Sequence, residues 1–520
     1  MIPIFSSLEM MKQALEVNQE VIQTTGNNIS NANTAGYSRQ RVDLAESLSY
    51  PGIGLNAPKI NGAIGTGVSA QAVTRVRDQF ADQQVRDNTN LNGYWSALSD
   101  AYSQMEDIVN ETTATSSDLT QTEGISTALN NFWQSLEDLS SNSDTSGTGS
   151  TVLEDGAALA DTLNYTSTAL SKVQANLSSQ ISENVTLVNS YSDQINTLNQ
   201  QINQQEANGN LPNDLYDQRD QLVDKLSQLV NVKVTVSKSG GNPPALAEGL
   251  YTVNIVDANG NAYSPAATLV DGTTLTNNHL SVTTGTGSDG YPTAAESLVS
   301  SDGTQTVTSA MTNGLGELQG EIDAYTTDFP EVMKSLDHFS SALSTEFNSA
   351  YAASAGGTSA AESFFLGSGS GSSPGTVTAA NIHVNSDLTD DDITSNTNGQ
   401  ASGDNSAATA MAAVVESNKY DVDAIAEGGT PTASNEVTLL TYIAGLIGQI
   451  GTNSQTAQNL ETNSATMLTS AQNHQTSVSG VSTDEELTNL IQYQQSYAAC
   501  AKVVTTLDTM LDTLISKMGA

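Results

Sequence analysis

The chain has 520 residues, with 16 Lys and Arg against 57 Asp and Glu, a formal net charge of −41 at pH 7, and only 37% hydrophobic and 5% aromatic residues. Binding phosphate needs clustered cations, so this balance excludes nucleic acid and an anionic membrane as partners and suits a surface kept soluble by charge. The length allows two to four domains, and the thin apolar content fits elongated domains with much wetted surface better than a compact metabolic enzyme.

A single cysteine, Cys500, precludes an intrachain disulfide, so stability has to come from packing or from assembly. Met1 to Leu15 has neither the basic start nor the apolar core of a cleaved secretory signal. The most apolar run, Leu439 to Ile450, is too short for a bilayer and is interrupted by Thr441, Gly445 and Gly448, so no membrane insertion is expected.

Proline spacing marks where long helices can run, since none of the 11 prolines lies between Pro58 and Pro212 or after Pro431. At the N-terminus, Leu8, Met11, Leu15, Asn18, Ile22, Thr25 and Ile29 step by three and four. That is the seam of a helix packed along another helix, with polar residues at two seam positions fixing register. Gly26 and Asn27-Asn28 soften this helix before a loop over Asn31 to Gly36, and Asn61 to Arg77 reads as extended. A second helical stretch covers Thr162 to Glu206, clearest at Val188, Tyr191, Ile195, Leu198 and Ile202. Asn208-Gly209 and Pro212 stop it, and Asn213 or Asp214 caps a further helix bearing Leu215, Leu222, Leu226 and Leu229.

From Asn231 to about Thr306 the period becomes two. Val232, Val234 and Val236 alternate, as do Val253 and Ile255, and turn signals stand at Asp257-Ala258-Asn259-Gly260 and Asp271-Gly272. Helical spacing returns over Leu315 to Ala352 (interrupted at Phe329-Pro330), Ser406 to Ser417 and Glu436 to His474, while Gly367 to Gly375 is a Gly/Ser-rich connection. In the last tract Leu490, Tyr493, Tyr497, Cys500, Val504, Leu507, Leu511, Leu514 and Met518 form an unbroken seam of period near 3.5. Ser482 or Thr483 caps its start, with Glu485 or Glu486 closing a capping box. A lone helix of this kind is marginal, so its ordering should be coupled to assembly.

The expected fold class is therefore mainly α with an inserted β domain, an α+β multidomain chain with a long helical bundle body and terminal helices pairing as a coiled coil. Residues 1–35 and 480–520 would form the terminal pair; 36–230, 307–352 and 400–479 the helical body; 231–306 the inserted antiparallel β domain; and 353–399 a Gly/Ser-rich connection with room for a small β element.

Chemistry-bearing motifs are scarce. His279, His338, His383 and His474 are scattered, with no His or Cys partner at helical spacing, so no zinc site and no cofactor is expected. Gly285-x-Gly287-x-x-Gly290 matches a dinucleotide pattern in form, but Pro292 follows it and no helix receives a pyrophosphate. Asp257-x-Asn259-x-Asn261 resembles the opening of a calcium loop yet has Ala262 and Thr268 where glycine and glutamate are required, so a hairpin turn is expected. Asp387, Asp390, Asp391 and Asp392 read as a solvated helix start, and Cys500 as a small packing residue within its seam.

The stretch Asn27 to Val42, NNISNANTAGYSRQRV, closely resembles the signature of bacterial flagellar rod, hook and hook-associated proteins, carried here by Asn27, Asn28, Asn31, Asn33, Thr34, Gly36, Tyr37, Arg39 and Arg41. Ala35 stands where that pattern often has proline. Ser479 to Met518 looks like the C-terminal half of the same signature, and Leu215 to Leu222, Gly403-Asp404-Asn405 and Phe364-Phe365 are similar to the hook-associated branch. The resemblance implies a non-enzymatic subunit of the bacterial flagellum, extracellular, exported unfolded by the flagellar type III apparatus without a cleaved signal. It further implies terminal helices lining the inner tube, a ring-like helical layer of like subunits, and neighbours comprising the hook protein and a second junction protein. An export chaperone would bind the C-terminal segment. A hook or distal rod subunit of the same axial family is the alternative.

Overall fold

The computed structural model describes residues 4–47, 65–109, 124–142, 145, 147–287, 290–300, 306–307, 314–354, 363–368, 375–394, 405–429, 432 and 435–518. Helix α1 (Ile4–Ser30) leads through a loop into an antiparallel hairpin of β1 (Gln40–Glu46) and β2 (Val68–Arg75). The extended expectation over 61–77 meets β2 there, although 61–64 lie outside the described residues. Three helices follow: α2 (Gln79–Val109), α3 (Ile125–Ser141) and α4 (Thr148–Ala207), 60 residues without a break.

Helix α4 starts well before the expected Thr162. Gly147 begins it at φ +96°, and Asp390 accepts the N–H groups of Gly147 and Ser150 at 3.0 and 2.9 Å. A carboxylate there satisfies donors that have no intrahelical partner. Val152, Leu159, Leu163, Leu170, Ile181, Val188, Ile195 and Ile202 are all buried along its length, and Gly209 ends it at φ +86°. Helix α5 (Asn213–Leu229) turns back on α4, but Asn213 does not cap it; its side-chain amide donates instead to the Val73 carbonyl at 2.8 Å.

Strands β3 (Val232–Ser237), β4 (Leu250–Val256), β5 (Ala262–Asp271), β6 (Thr276–Thr286), β7 (Pro292–Ser300) and β8 (Thr306–Val307) make one antiparallel sheet in sequence order. Asp257 closes the β4–β5 turn by accepting the N–H groups of Asn259 and Asn261, which explains the calcium-like spacing as a hairpin. Gly285 lies within β6 opposite Thr293 of β7, and Gly287 and Gly290 belong to the β6–β7 connection, where Gly287 donates to Tyr291. The sheet lies on α4 through amides as well as apolar contacts: Asn189 bonds both backbone groups of Leu280, and Asn199 donates to Tyr251. Val253, Leu269, Val270, Leu280 and Leu298 continue the same apolar core as the helices.

Helix α6 (Glu317–Asp323) runs through a single π turn (Ala324–Asp328) into α7 (Phe329–Ser354). The expected interruption is thus a widened turn just before Phe329; Pro330 follows it without an N–H to donate, and the Tyr325 carbonyl one turn back accepts from the Gln174 side chain at 3.1 Å instead. Short β9 (Phe365–Leu366) and β10 (His383–Val384) pair, and α8 (Asp390–Thr394), α9 (Ser406–Glu416) and α10 (Val422–Glu427) complete this end. Phe132, Phe347, Phe364 and Phe365 stack here with centroids 4.8 to 6.0 Å apart. Residues 369–374 of the expected flexible connection lie outside the described residues. Long α11 (Leu439–Ser479) then packs along α2, and α12 (Thr483–Met518) closes the chain. No described helix is long and apolar enough to cross a membrane, and no group of three His, Cys, Asp or Glu among the described residues is placed to hold a metal.

Candidate assembly interface

Helices α1 and α12 lie side by side and antiparallel: Asn28 meets Glu486, while Val17 and Val21 share an apolar cluster with Tyr493. The most buried line of α1 is Val17, Val21, Thr25 and Asn28; it shares Thr25 with the seam read from sequence and otherwise runs beside it. Leu8, Met11, Leu15, Ile22 and Ile29 are half-buried. The offset arises because α1 packs on the β1–β2 hairpin as well as on α12, so the buried line faces both; Val42, Val68, Ala70 and Val73 complete it.

On α12, Leu490, Tyr493, Cys500, Val504, Leu507 and Leu511 are half-buried, and Tyr497 and Leu514 are exposed. Met518 ends the helix. Beside this line Leu487, Ile491, Val503, Met510 and Ile515 are also exposed, from 44% at Val503 to 68% at Ile515. The apolar stripe of α12 is wider than one partner helix can cover.

The N-terminal motif knots these helices to the body. Asn28 is buried and uses its whole amide: Nδ2 donates to the Gln40 carbonyl at 2.9 Å and to Glu486 at 3.2 Å, while Oδ1 accepts from the Tyr37 hydroxyl at 2.8 Å and the Gln40 N–H at 3.0 Å. Burial, with Asp217, Asp214 and Glu486 nearby, raises the Tyr37 hydroxyl pKa, so it stays a donor. Asn31 donates to both the carbonyl and side chain of Asn27 and accepts from Thr34, which shapes the loop. Gly36 closes that loop at φ +78°, where a Cβ would lie 3.3 Å from Gln221. Arg39 donates its backbone N–H to Ser479 at 3.0 Å and pairs with Glu485 at 3.1 Å and Glu486 at 3.5 Å. Asn33 is exposed, and Arg41 pairs with Asp43 on its own strand, so neither joins the knot. The expected capping box is half formed: Ser482 accepts the Glu485 N–H, but both glutamates turn to Arg39 instead of closing the box.

Beneath this knot lies a buried ionic layer that the sequence reading did not anticipate. Arg75 bonds Asp217 at 2.7 Å, Asp220 at 2.9 Å and Glu248; Arg77 bonds Asp82 at 2.8 Å and Asp220 at 2.9 Å; Arg86 reaches Asp224 at 2.7 Å. Burial would raise the Asp220 carboxyl, yet the guanidiniums of Arg77, Arg75, Arg86 and Arg219 outweigh it and hold Asp220 well below the ordinary carboxylate range. Arg219 is fully buried, donates to the Gly249 carbonyl at 2.6 Å and lies 3.4 Å from the Tyr251 ring centroid. A usable signal was present: in a chain with 16 basic residues, Arg75, Arg77 and Arg86 crowd one segment, and Asp217, Arg219, Asp220 and Asp224 share α5.

Across 530 aligned residues the chain is 37% identical to flagellar hook-associated protein 1 of Bacillus subtilis (strain 168), covering 99% of this chain and 98% of that one. The chain belongs to the flagellar hook-associated protein 1 family. The flagellar hook-associated protein FlgK helical domain matches residues 102–365, and the flagellar basal body rod FlgEFG protein C-terminal region matches 472–517. The Escherichia coli (strain K12) flagellar hook-associated protein 1 is 26% identical over 572 residues, covering 96% of this chain and 98% of that one. Among solved structures, the flagellar hook junction protein FlgK from Burkholderia pseudomallei superposes with a TM-score of 0.41 at 22% identity, over 52% of this chain and 43% of that one. Family membership places the chain among the structural proteins of the bacterial flagellum.

Proposed function

We propose that this chain is the subunit joining hook to filament, exported by the flagellar type III apparatus without a cleaved signal and working outside the cell. Its neighbours are further copies of itself in a ring-like layer, the hook protein on one side and a second junction protein on the other. An export chaperone covers the C-terminal segment before assembly. Its role is mechanical, with no catalytic step.

The observation that carries this reading is the apolar surface left bare on both flanks of the α12 seam. Leu487, Ile491, Val503, Met510, Leu514 and Ile515 stay exposed although α1 already occupies one side. Apolar area of that extent on a helix held away from the body is unfavourable in water and is relieved by neighbouring helices. A hook or distal rod subunit would need the same stripe, and the family to which the chain belongs favours the junction.

Replacing both Leu507 and Leu511 with Asp should abolish incorporation into flagella while the far-ultraviolet signal of the helical body is kept. Antibody labelling of intact flagella should mark a single band between hook and filament. Normal attachment of filament in the double mutant, or label spread along the hook, would reject the proposal.

A further inference from the structure

Two turns apart on one face of α2, Tyr94 and Tyr102 each donate a hydroxyl across the helix interface, Tyr94 to Asp323 at 2.9 Å and Tyr102 to Asp328 at 2.8 Å. Five residues of ordinary α-helix would rotate two carboxylates about 140° apart, onto different faces. The π turn at Ala324–Asp328 widens the winding and brings both to α2. Between this turn, α2 and α11 opens a cleft of about 350 Å³, lined by Tyr94, Trp95 and Tyr102 with Asn453 on the α11 side. The Tyr94 and Trp95 rings meet edge to face with centroids 5.1 Å apart.

No Lys, Arg or His among the described residues lines this cleft. The carboxylates are held by neutral donors: Asp323 by Tyr94 and Gln319, and Asp328 by Tyr102. Their charge is thus oriented but not neutralised, beside aromatic rings whose faces attract cations. A metal ion is a poor match, because among the described residues only two carboxylates line the cleft and hydroxyl donors already engage them. A planar, weakly hydrated cation suits better: a guanidinium stacks on rings and offers a fork of donors to carboxylates, whereas an ammonium holds its water more strongly.

We propose that this cleft is a binding site for an arginine side chain presented by a partner protein, the guanidinium lying over the aromatic rings and bonding to Asp323 and Asp328. Such a partner surface is basic, complementary to a chain with a net charge of −41.

The chain has two tryptophans, so full-length Trp133→Phe leaves Trp95 as the sole indole reporter. Titrated at constant ionic strength with N-acetyl-arginine methylamide, its emission should change saturably, at several-fold lower concentration than with the lysine analogue. Binding should weaken at least tenfold in Asp323→Asn/Asp328→Asn. Asn453→Arg, which places a guanidinium in the cleft from within the chain, should abolish the response with helical content unchanged. A response that does not saturate, that the alanine analogue reproduces, that lysine matches, or that survives Asn453→Arg would overturn the assignment.

Discussion

The side-chain amide of Asn28 donates to the carboxylate of Glu486 at 3.2 Å, joining positions 458 residues apart at a buried point. Both partners are further engaged, Asn28 with Tyr37 and Gln40, Glu486 with Arg39. The antiparallel register of α1 and α12 is therefore fixed at their shared base by a saturated polar contact, while above it Val17 and Val21 are buried on the α1 side and Tyr493 is half-buried on the α12 side. Polar contacts of this kind specify register more than they add stability.

Asn28→Ala should accordingly strand several partners at once and cost on the order of 3 kcal/mol locally. Hydrogen exchange should speed up together over the end of α1 and the start of α12, leaving the middle of α4 protected. Unchanged exchange at α12 would show that the knot does not hold the two ends in register.

Within the ionic layer, Asp220 accepts from Arg75, Arg77 and the Tyr251 hydroxyl, and removing its charge leaves buried guanidiniums unbalanced. Asp220→Asn should cost about 3–5 kcal/mol, read from the urea midpoint. Lys334→Ala, which removes an exposed pair with Glu427 at 3.0 Å, should cost no more than about 1 kcal/mol.

Stability should rise as pH falls from 8 to 5. Burial, partly offset by Asn184 and reinforced by Glu317 and Glu183, raises the Glu321 carboxyl from 4.5 to about 7, and burial lifts Asp328 to about 6. The folded chain holds these protons where the unfolded chain has lost them, so their contribution is full below the ordinary carboxylate range and disappears as pH climbs through 6 to 7. Asp220 acts oppositely, but its held-down carboxyl matters only below the ordinary range, under more acid conditions. Thermal melts of the wild type and Glu321→Gln across this interval test the point: the variant should show a shallower pH slope.

Helix α2 approaches its neighbours closely at Gly93, where a Cβ would fall 2.5 Å from the Gln228 carbonyl oxygen. Gly93→Ala should therefore force α2 off α5 and α6, at about 1–3 kcal/mol. Gly445→Ala in α11, where no atom of the described residues would lie within 4 Å of the added Cβ, should be neutral or stabilise by up to about 1 kcal/mol. Equal effects would mean that helix propensity and not contact distance governs both sites.

How legible each part was depended on whether its packing is apolar. Helix α12 announced itself because Leu490 to Leu511 repeat at one period. Helix α2 gave no such stripe: Asn88, Asn90 and Arg86 are buried on it and disfavour or ignore helical patterning; Arg86 and Asn90 find their partners on α5, and Asn88 bonds back to Gln84 of its own helix. Glu486 was misjudged as a local cap because sequence shows the residues three positions away and not Arg39 across the chain. The cleft beside Asp323 and Asp328 was hidden for another reason, since a π turn changes which residues share a face without changing composition. The mainly α class with an inserted antiparallel sheet was readable from the change of period at Asn231.

Helix α4 extends for 60 residues, about 90 Å at the usual rise, and the aromatic cluster, the sheet and α5 are all fastened to it in turn. A strut continuous over that distance carries axial load through backbone hydrogen bonds in series, with no joint along it at which to flex. Nothing along α4 can hinge, and the crossing at Arg39 and Ser479, beside the Asn28 knot, is where the paired terminal helices join the rest of the described chain.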